Sequence, residues 1–272
     1  YLIDFPEKQD VLRYTLTSIM PETKDNDFTW KDFQAKNNNE LLAIFGNFVN
    51  RTMVLIDKYY SGLIPSISKF RDDSNEVFTQ IDKLQTEIEY AIEHFRFRDA
   101  QNLFMDIARA GNKYLTDNEP WKKVKEQAEH AAETLFVALQ ILAKLSVVGE
   151  PFLPLSCNNL RNLLNFKPIK WIDAKQKVLI NANHKIEKPI LLFEKIEDFQ
   201  IQQQLDKLQA SAKQKQSQIH DFAPLKENVS FEDFSAMDIR IATIKEAVKV
   251  PKTKKLLKLL VDTGIDTRTI VS

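Results

Sequence analysis

One stripe of apolar residues, between positions 41 and 56, constrains the fold more than any other feature of the sequence. Its members recur at steps of three and four residues, the spacing of one buried helix face. They are Leu41, Leu42, Phe45, Phe48, Val49, Thr52, Met53 and Ile56. The pair Ser61-Gly62 that follows is typical of a helix end. We therefore predict a helix that packs into a core and ends near Ser61.

Similar periodicity predicts further helices over most of the first 165 residues, in a chain with only five glycines. The predicted helices cover about residues 10–20, 76–93, 97–114 and 124–148, with a short helix that starts at Ser156 and runs to about Leu164. Asp10 and Ser156 are the expected N-caps of the first and last of these. The stretch 124–148 has the pattern of an amphipathic helix. Short loops between helices favour an antiparallel bundle over residues 1–165.

The pattern changes after Phe166. The runs KVLI and PILLF predict extended arms, and residues 166–208 are expected to form an extension that packs on the bundle. Residues 209–228 are rich in Gln, Lys and Ser, which is typical of a linker. From about residue 229 to 272 the apolar period becomes two, which predicts two or three strands of a small β domain. Because two or three strands bury little surface, we expect the natural protein to continue past Ser272. The predicted class is mainly α with an incomplete β domain.

Composition excludes several kinds of site. Cys157 is the only cysteine, so neither an internal disulfide nor a cysteine zinc site is possible. The four histidines are far apart in sequence, and we expect no metal site. No glycine loop for phosphates and no Ser, His and Asp arrangement stands out, so we expect no catalytic residue. No apolar run approaches the roughly 18 residues of a membrane helix, and no signal peptide is visible. We expect a cytoplasmic protein with no membrane partner.

Basic residues concentrate near the end of the chain, although the net charge is zero. Between positions 240 and 258 there are seven basic residues and one acid. The basic residues are Arg240, Lys245, Lys249, Lys252, Lys254, Lys255 and Lys258. Such a cluster attracts phosphates. The alternative, which the sequence alone favours, is an ordinary solvated lysine face.

Asn47 and Arg51 are the first candidate binding residues. At about 100° per residue they fall nearly opposite the apolar stripe, one turn apart, so both should project into solvent. An amide and a planar guanidinium suit base edges and phosphates. The alternative is a solvated helix face with one weak contact between the two residues.

Pro120-Trp121 is the second candidate. Pro120 suits the first turn of a helix, where its missing N–H has no cost. Trp121 then has two possible roles. It packs inward as a staple of the bundle, or its ring is a platform on which an unpaired base stacks. The motif does not distinguish them.

Several long stretches carry a family resemblance. NELLAIFGNFVNRTMVLIDKYYSG, FRFRDAQNLFMDIARAGNKYLTDNEPWK and GEPFLPLSCNNLRNLLN closely resemble the anticodon-binding helical domain of methionyl-tRNA synthetases. HKIEKPILLFEKIED resembles the segment that follows it in bacterial members. SFEDFSAMDIRIATI is similar to the start of their appended tRNA-binding domain, an OB-fold. Only the linker lies outside the resemblance.

The resemblance implies roles for the candidate residues. In this family the bundle reads the CAU anticodon of tRNA(Met), with an Asn and an Arg four residues apart and a Pro-Trp motif. Those positions correspond to Asn47, Arg51, Pro120 and Trp121, and the Trp would stack on an anticodon base. Many members have a further Asn one turn earlier, where this chain has Ala43 and Ile44.

The resemblance also implies what this chain lacks. The family's HIGH-like and KMSKS-like ATP-site signatures do not occur, and we expect them upstream of Tyr1. The parent enzyme is thus expected to be a ligase that uses ATP, methionine and tRNA, whereas this chain alone is expected to be inactive and to hold no cofactor. The family's complete tail domain binds tRNA with little sequence preference and mediates homodimers. An alternative function is a helical scaffold that binds protein and carries a non-specific tRNA-binding tail.

Overall fold

A computed structural model describes residues 1, 3–22, 25–216, 228–251, 253 and 255–272. They fall into two compact units, Tyr1–Gln214 and Lys215–Ser272. The helices are α1 Gln9–Ser18, α2 Trp30–Ala35, a π-helical segment Lys36–Gly46, α3 Asn47–Tyr60, α4 Asp72–Glu93, α5 Phe97–Asn118, α6 Pro120–Lys123, α7 Ala128–Val148, α8 Pro154–Leu163, a 3-10 turn Trp171–Lys175, α9 Asp198–Gln216 and α10 Phe231–Ser235. The strands are β1 Thr243–Lys249, β2 Leu257–Asp262 and β3 Thr267–Val271. A mainly helical chain with a small β unit confirms the predicted fold class.

The predicted apolar stripe is the centre of the first unit. Phe45, Phe48, Val49, Met53 and Ile56 are buried in one hydrophobic core that also contains residues of α4, α5 and α7. The helix ends as predicted, since Ser61 adopts the left-handed conformation and Gly62 follows with a positive φ. The π-helical segment before α3 was not expected, because a period of 3.6 is the ordinary reading of such a stripe.

Helix α7 differs from its prediction. It starts at Ala128 rather than near Val124, and residues 131–148 are buried on every side, so it is not amphipathic. Its polar side chains have partners inside the bundle; Gln140, for example, accepts from the N–H groups of Leu179 and Ile180. Among the described residues α7 is also the one helix long and apolar enough to cross a membrane. The expectation that no such run exists is wrong, and burial within the bundle accounts for the composition.

The expected N-caps of α1 and α8 are both wrong. Asp10 lies in the first turn of α1 and does not cap it. Helix α8 begins at Pro154, and Leu153 precedes it without a side-chain cap. Instead the backbone N–H of Ser156 donates to Asp10 Oδ2 at 2.6 Å. One buried carboxylate therefore caps a helix that is far away in sequence.

The segment between Phe166 and α9 lies against the bundle. Ile180, Ile186 and Phe193 are buried in its core. The arm around Ile186 pairs with the segment after α3, since the N–H of Ile186 donates to the carbonyl of Gly62 at 2.9 Å. Helix α9 continues through residues 209–216, where a linker was expected, and residues 217–227 of that linker lie outside the described residues.

The second unit is an antiparallel sheet with strand order β1-β2-β3. The predicted turn joins β2 to β3, and Gly264 adopts φ of 82° within it. Ile239 and Ile241, expected in the first strand, precede β1. Among the described hydrophobic residues of this unit, Val261 is the buried one.

Candidate nucleic-acid interface

The site is built where helices α3 and α5 approach each other closely. Gly111 of α5 faces Phe48 of α3, and a Cβ atom placed on Gly111 would lie 2.3, 2.5 and 2.8 Å from three atoms of that ring. Real Cβ atoms do not approach so near. The missing side chain therefore allows the contact, and the residues that follow Gly111 on α5 come within reach of α3.

A polar cluster lies beside this contact. The Nδ2 of Asn47 donates to Oδ1 of Asn112 at 3.3 Å. The guanidinium of Arg51 donates to the same oxygen at 3.4 Å and to Thr116 Oγ1 at 3.4 Å. Asn47 is exposed, as the helical wheel predicted, whereas Arg51 is half-buried because it lies across α5. These long bonds hold both donors loosely in place.

Asn112 is the residue that sequence reasoning missed. Its Nδ2 donates to the carbonyl oxygens of Ile44 at 2.9 Å and Ala108 at 3.2 Å, which fixes the direction of Oδ1. The amide of Asn112 thus lies beside the carbonyl of Ile44. Many members of the family have an Asn at about this position, which this chain lacks. Asn112 directly follows the glycine at the crossing and Thr116 lies one turn further on, but this spacing alone does not report the contact with α3.

Trp121 lies outside the hydrophobic core. Helix α5 ends at Asn118, Glu119 adopts the left-handed conformation with φ of 43°, and Pro120 opens α6 as predicted. Pro120 is buried. Trp121 is half-buried, as are Trp30 and Trp171, but unlike them it does not pack against the hydrophobic core. The structure gives no support to the staple alternative.

The indole instead faces the polar cluster. The Cζ of Arg51 lies 5.3 Å from the centroid of the Trp121 ring, within the range of a cation–π contact. The structure therefore brings together Asn47, Arg51 and Trp121, which are up to 74 positions apart in the sequence, and adds Asn112 between them. The result is an aromatic ring beside an amide and a guanidinium, three groups that suit an unstacked base.

The end of α5 is held by a buried network. Asn118 is 6% exposed; its Oδ1 accepts from Arg71 at 2.9 Å and its Nδ2 donates to the carbonyl of Tyr114 at 3.1 Å. Burial raises the pKa of Tyr114 to about 12, so its hydroxyl stays protonated. Arg71 also pairs with Glu133 of α7 at 2.8 Å. The turn that carries Trp121 therefore begins at a residue, Asn118, that is held in place by buried hydrogen bonds.

The predicted basic cluster is only partly available to a ligand. In the described part of the β unit, Arg240 pairs with Asp238 at 2.7 Å and Lys245 pairs with Asp262 at 3.2 Å. Three lysines of the cluster are exposed, and two lie outside the described residues. The exposed ones are Lys249, Lys255 and Lys258, and the others are Lys252 and Lys254. Across the described ranges no group of three or more His, Cys, Asp or Glu residues is arranged to hold a metal ion.

Comparison with known families shows which family the chain belongs to. The family model described as the anticodon binding domain of methionyl tRNA ligase matches residues 64–213, more than half of the chain. The chain belongs to this family. A second model, for class I tRNA synthetases (M), matches residues 3–53. Asn47 and Arg51 lie in the second range and Trp121 in the first, so the candidate site of this methionyl-tRNA ligase relative spans both.

Curated relatives extend the match to the whole chain. The methionine--tRNA ligase of Bacteroides fragilis is 48% identical over 272 residues, covering 100% of this chain and 40% of that protein. The ligase of Flavobacterium johnsoniae is 49% identical over 300 residues and is covered to 42%. The chain therefore spans about two fifths of the length of these relatives.

A solved structure shares the fold. The apo form of methionyl-tRNA synthetase from Mycobacterium tuberculosis has a TM-score of 0.65 and 20% identity, and the match covers 69% of this chain and 39% of that one. The structure of the same synthetase bound by methionyl-adenylate has a TM-score of 0.64. At this identity the likeness concerns architecture alone.

Proposed function

We propose that this chain is the tRNA-recognition part of a methionyl-tRNA synthetase and that its bundle binds the CAU anticodon of tRNA(Met). The observation that carries the proposal is the position of Trp121, half-buried but outside the core, against the guanidinium of Arg51. Membership in the anticodon-binding family supplies the substrate class.

Each group has a distinct task in this proposal. Trp121 stacks on an unpaired anticodon base, a contact that contributes about 1–3 kcal/mol. Asn47 and Arg51 donate to base edges or phosphate oxygens. Their present bonds to Asn112 and Thr116 are 3.3–3.4 Å long, at the weak end of the range. Exchanging these partners for RNA therefore has a small cost.

The β unit adds affinity without base preference in the same proposal. Its exposed lysines, Lys249, Lys255 and Lys258, meet phosphates and release counterions. That contribution weakens as salt rises, whereas stacking and base contacts on the bundle do not release counterions. Salt dependence therefore separates the two sources of binding.

The wider activity is proposed for the longer protein. It attaches methionine to tRNA(Met) with ATP, in the cytoplasm, and a complete β domain mediates a homodimer. This chain is proposed to be inactive alone, because the HIGH-like and KMSKS-like signatures do not occur in its sequence. ATP belongs to the part of the enzyme that carries those signatures.

The test is binding of the chain to an RNA hairpin with a CAU loop and to the same hairpin with a changed loop, at two salt concentrations. We expect a preference for CAU that survives the higher salt. Equal binding that disappears with salt would show that only the β unit contacts RNA. No binding to either hairpin would favour a protein-binding scaffold over RNA recognition.

A further inference from the structure

One side chain contacts two residues that flank Trp121 in the sequence, one just before the short helix α6 and one at its end. The Nε2 atom of His130, in the first turn of α7, lies 2.8 Å from Oδ1 of Asn118, just before α6. The same nitrogen lies 3.0 Å from Nζ of Lys123, the last residue of α6. The backbone of His130 is fixed, because its carbonyl accepts from Arg71 at 3.2 Å.

The hydrogen bonds of Asn118 determine which nitrogen of the His130 imidazole carries the proton. Its Oδ1 already accepts from Arg71, and its Nδ2 donates to the carbonyl of Tyr114. The oxygen therefore faces His130, and Nε2 must donate to it. A ring nitrogen that carries a proton cannot accept from the ammonium of Lys123. The two contacts of His130 therefore compete for one atom.

We propose that His130 is a positioning residue for Trp121: its neutral imidazole is bonded to Asn118 before α6 and lies against Lys123 at the end of α6, and so fixes the direction in which the indole faces. The part of this inference that concerns RNA rests on the proposed function. The part that concerns the indole does not, because it is observable in the free protein.

Protonation of the imidazole should disturb these contacts of His130. The groups that face the ring are Arg71 and Asp73 from the start of α4, Glu133 from α7 and Lys123 from α6. Glu129 borders the same cavity of about 280 Å³. Burial lowers the pKa of His130 below its ordinary value, and the cations Arg71 and Lys123 lower it further, against the opposite effect of Asp73 and Glu133.

A proton on His130 therefore acts mainly on one partner. The bond from Nε2 to Asn118 persists, since Nε2 already donates. The added charge repels Lys123, which is 3.0 Å away and is the more exposed partner. The repulsion displaces Lys123 and with it the C-terminal end of α6, so the environment of Trp121 changes with pH.

The experiment is 19F NMR of the whole chain labelled with 5-fluorotryptophan, titrated over the pH range in which histidine changes charge. The chain has three tryptophans, and Trp121→Phe identifies the relevant signal. We expect that signal to move with a midpoint below about 6.5, the ordinary histidine pKa. The signals of Trp30 and Trp171, which pack on the core, should stay still.

His130→Gln tests the assignment. Its amide can donate to Asn118 but takes up no proton in this range, so the Trp121 signal should lose its titration. His94→Gln is the matched control, since His94 is exposed at the end of α4 and should leave the titration unchanged. A Trp121 signal that is flat in the wild type, or that still titrates in His130→Gln, would overturn the proposal.

RNA binding is measured separately. His130→Ala should weaken binding of the CAU hairpin by about five-fold, comparable to the net loss of one hydrogen bond, and His130→Gln should restore most of it. Unchanged affinity in His130→Ala would contradict the role in RNA binding. If the wild type does not bind the hairpin, the proposed function fails, while the 19F titration still decides whether His130 positions the indole.

Discussion

The close contact between α3 and α5 makes a quantitative prediction for Gly111→Ala. In an ordinary helix this change stabilises the fold by about 1 kcal/mol, because alanine has the higher helix propensity. Here the new methyl group would meet atoms Cζ, Cε1 and Cε2 of Phe48 at 2.3, 2.5 and 2.8 Å. The Phe48 ring is fully buried and cannot swing into solvent.

The steric effect should exceed the propensity effect. Overpacking a well-packed core costs about 1–3 kcal/mol, and distances this short place the cost at the upper end of that range. With about 1 kcal/mol of propensity subtracted, Gly111→Ala should lower the free energy of unfolding by about 2 kcal/mol. It should also separate Asn47 from Asn112, because these residues flank the contact.

Urea unfolding of a double-mutant cycle tests the cause. Leucine at position 48 lacks the three ring atoms that the methyl group would meet. In a Phe48→Leu background, Gly111→Ala should therefore be neutral or stabilising by about 1 kcal/mol. Equal or greater stability of Gly111→Ala in the wild-type background would refute the argument that a missing side chain is what lets the two helices meet.

Three further perturbations have expected outcomes in urea unfolding. Asp10→Asn should lower stability by about 1 kcal/mol, because it removes the charge that caps the N-terminus of α8. Arg71→Met should cost about 3 kcal/mol, since it leaves the buried carboxylate of Glu133 without its cation. Arg96→Met, in an exposed pair, should cost less than about 1 kcal/mol, and equal losses in the two arginine variants would contradict the reasoning. The pKa of His130 is lower in the folded chain, so the unfolded chain binds more protons just below about pH 6.5. The stability of the wild type should therefore decrease, relative to His130→Gln, as the pH is lowered through that window, and a difference that does not change with pH would refute this.

The sequence predicted those features that depend on local pattern. The stripe of α3 and its end at Ser61 follow from the spacing of apolar residues and from a glycine at the right place. The β strands follow from a period of two, although β1 begins later than expected because Ile239 and Ile241 alternate without pairing. Asn47 and Trp121 were chosen as candidates from helical geometry, from a motif and from family resemblance.

Features that depend on distant partners were not predictable. Asp10 is of a residue type that often caps helices, and it stands where its own helix was expected to begin. Only the tertiary fold shows that it caps α8. Helix α7 contains polar residues such as Gln140 and Lys144, which suggested an exposed face, but each finds a buried partner elsewhere in the chain. Asn112 gained its role because Gly111 brings α5 against α3, a contact that no local pattern reports.

The most direct test of the central claim compares Trp121→Ala with Tyr90→Ala in the hairpin experiment. Tyr90 is a matched control, an exposed aromatic residue on α4. The account predicts that both variants fold, that Tyr90→Ala keeps the preference for the CAU loop, and that Trp121→Ala loses about ten-fold or more of it, as expected for one stacked base. A folded Trp121→Ala chain that still prefers CAU as strongly as the wild type would contradict the account.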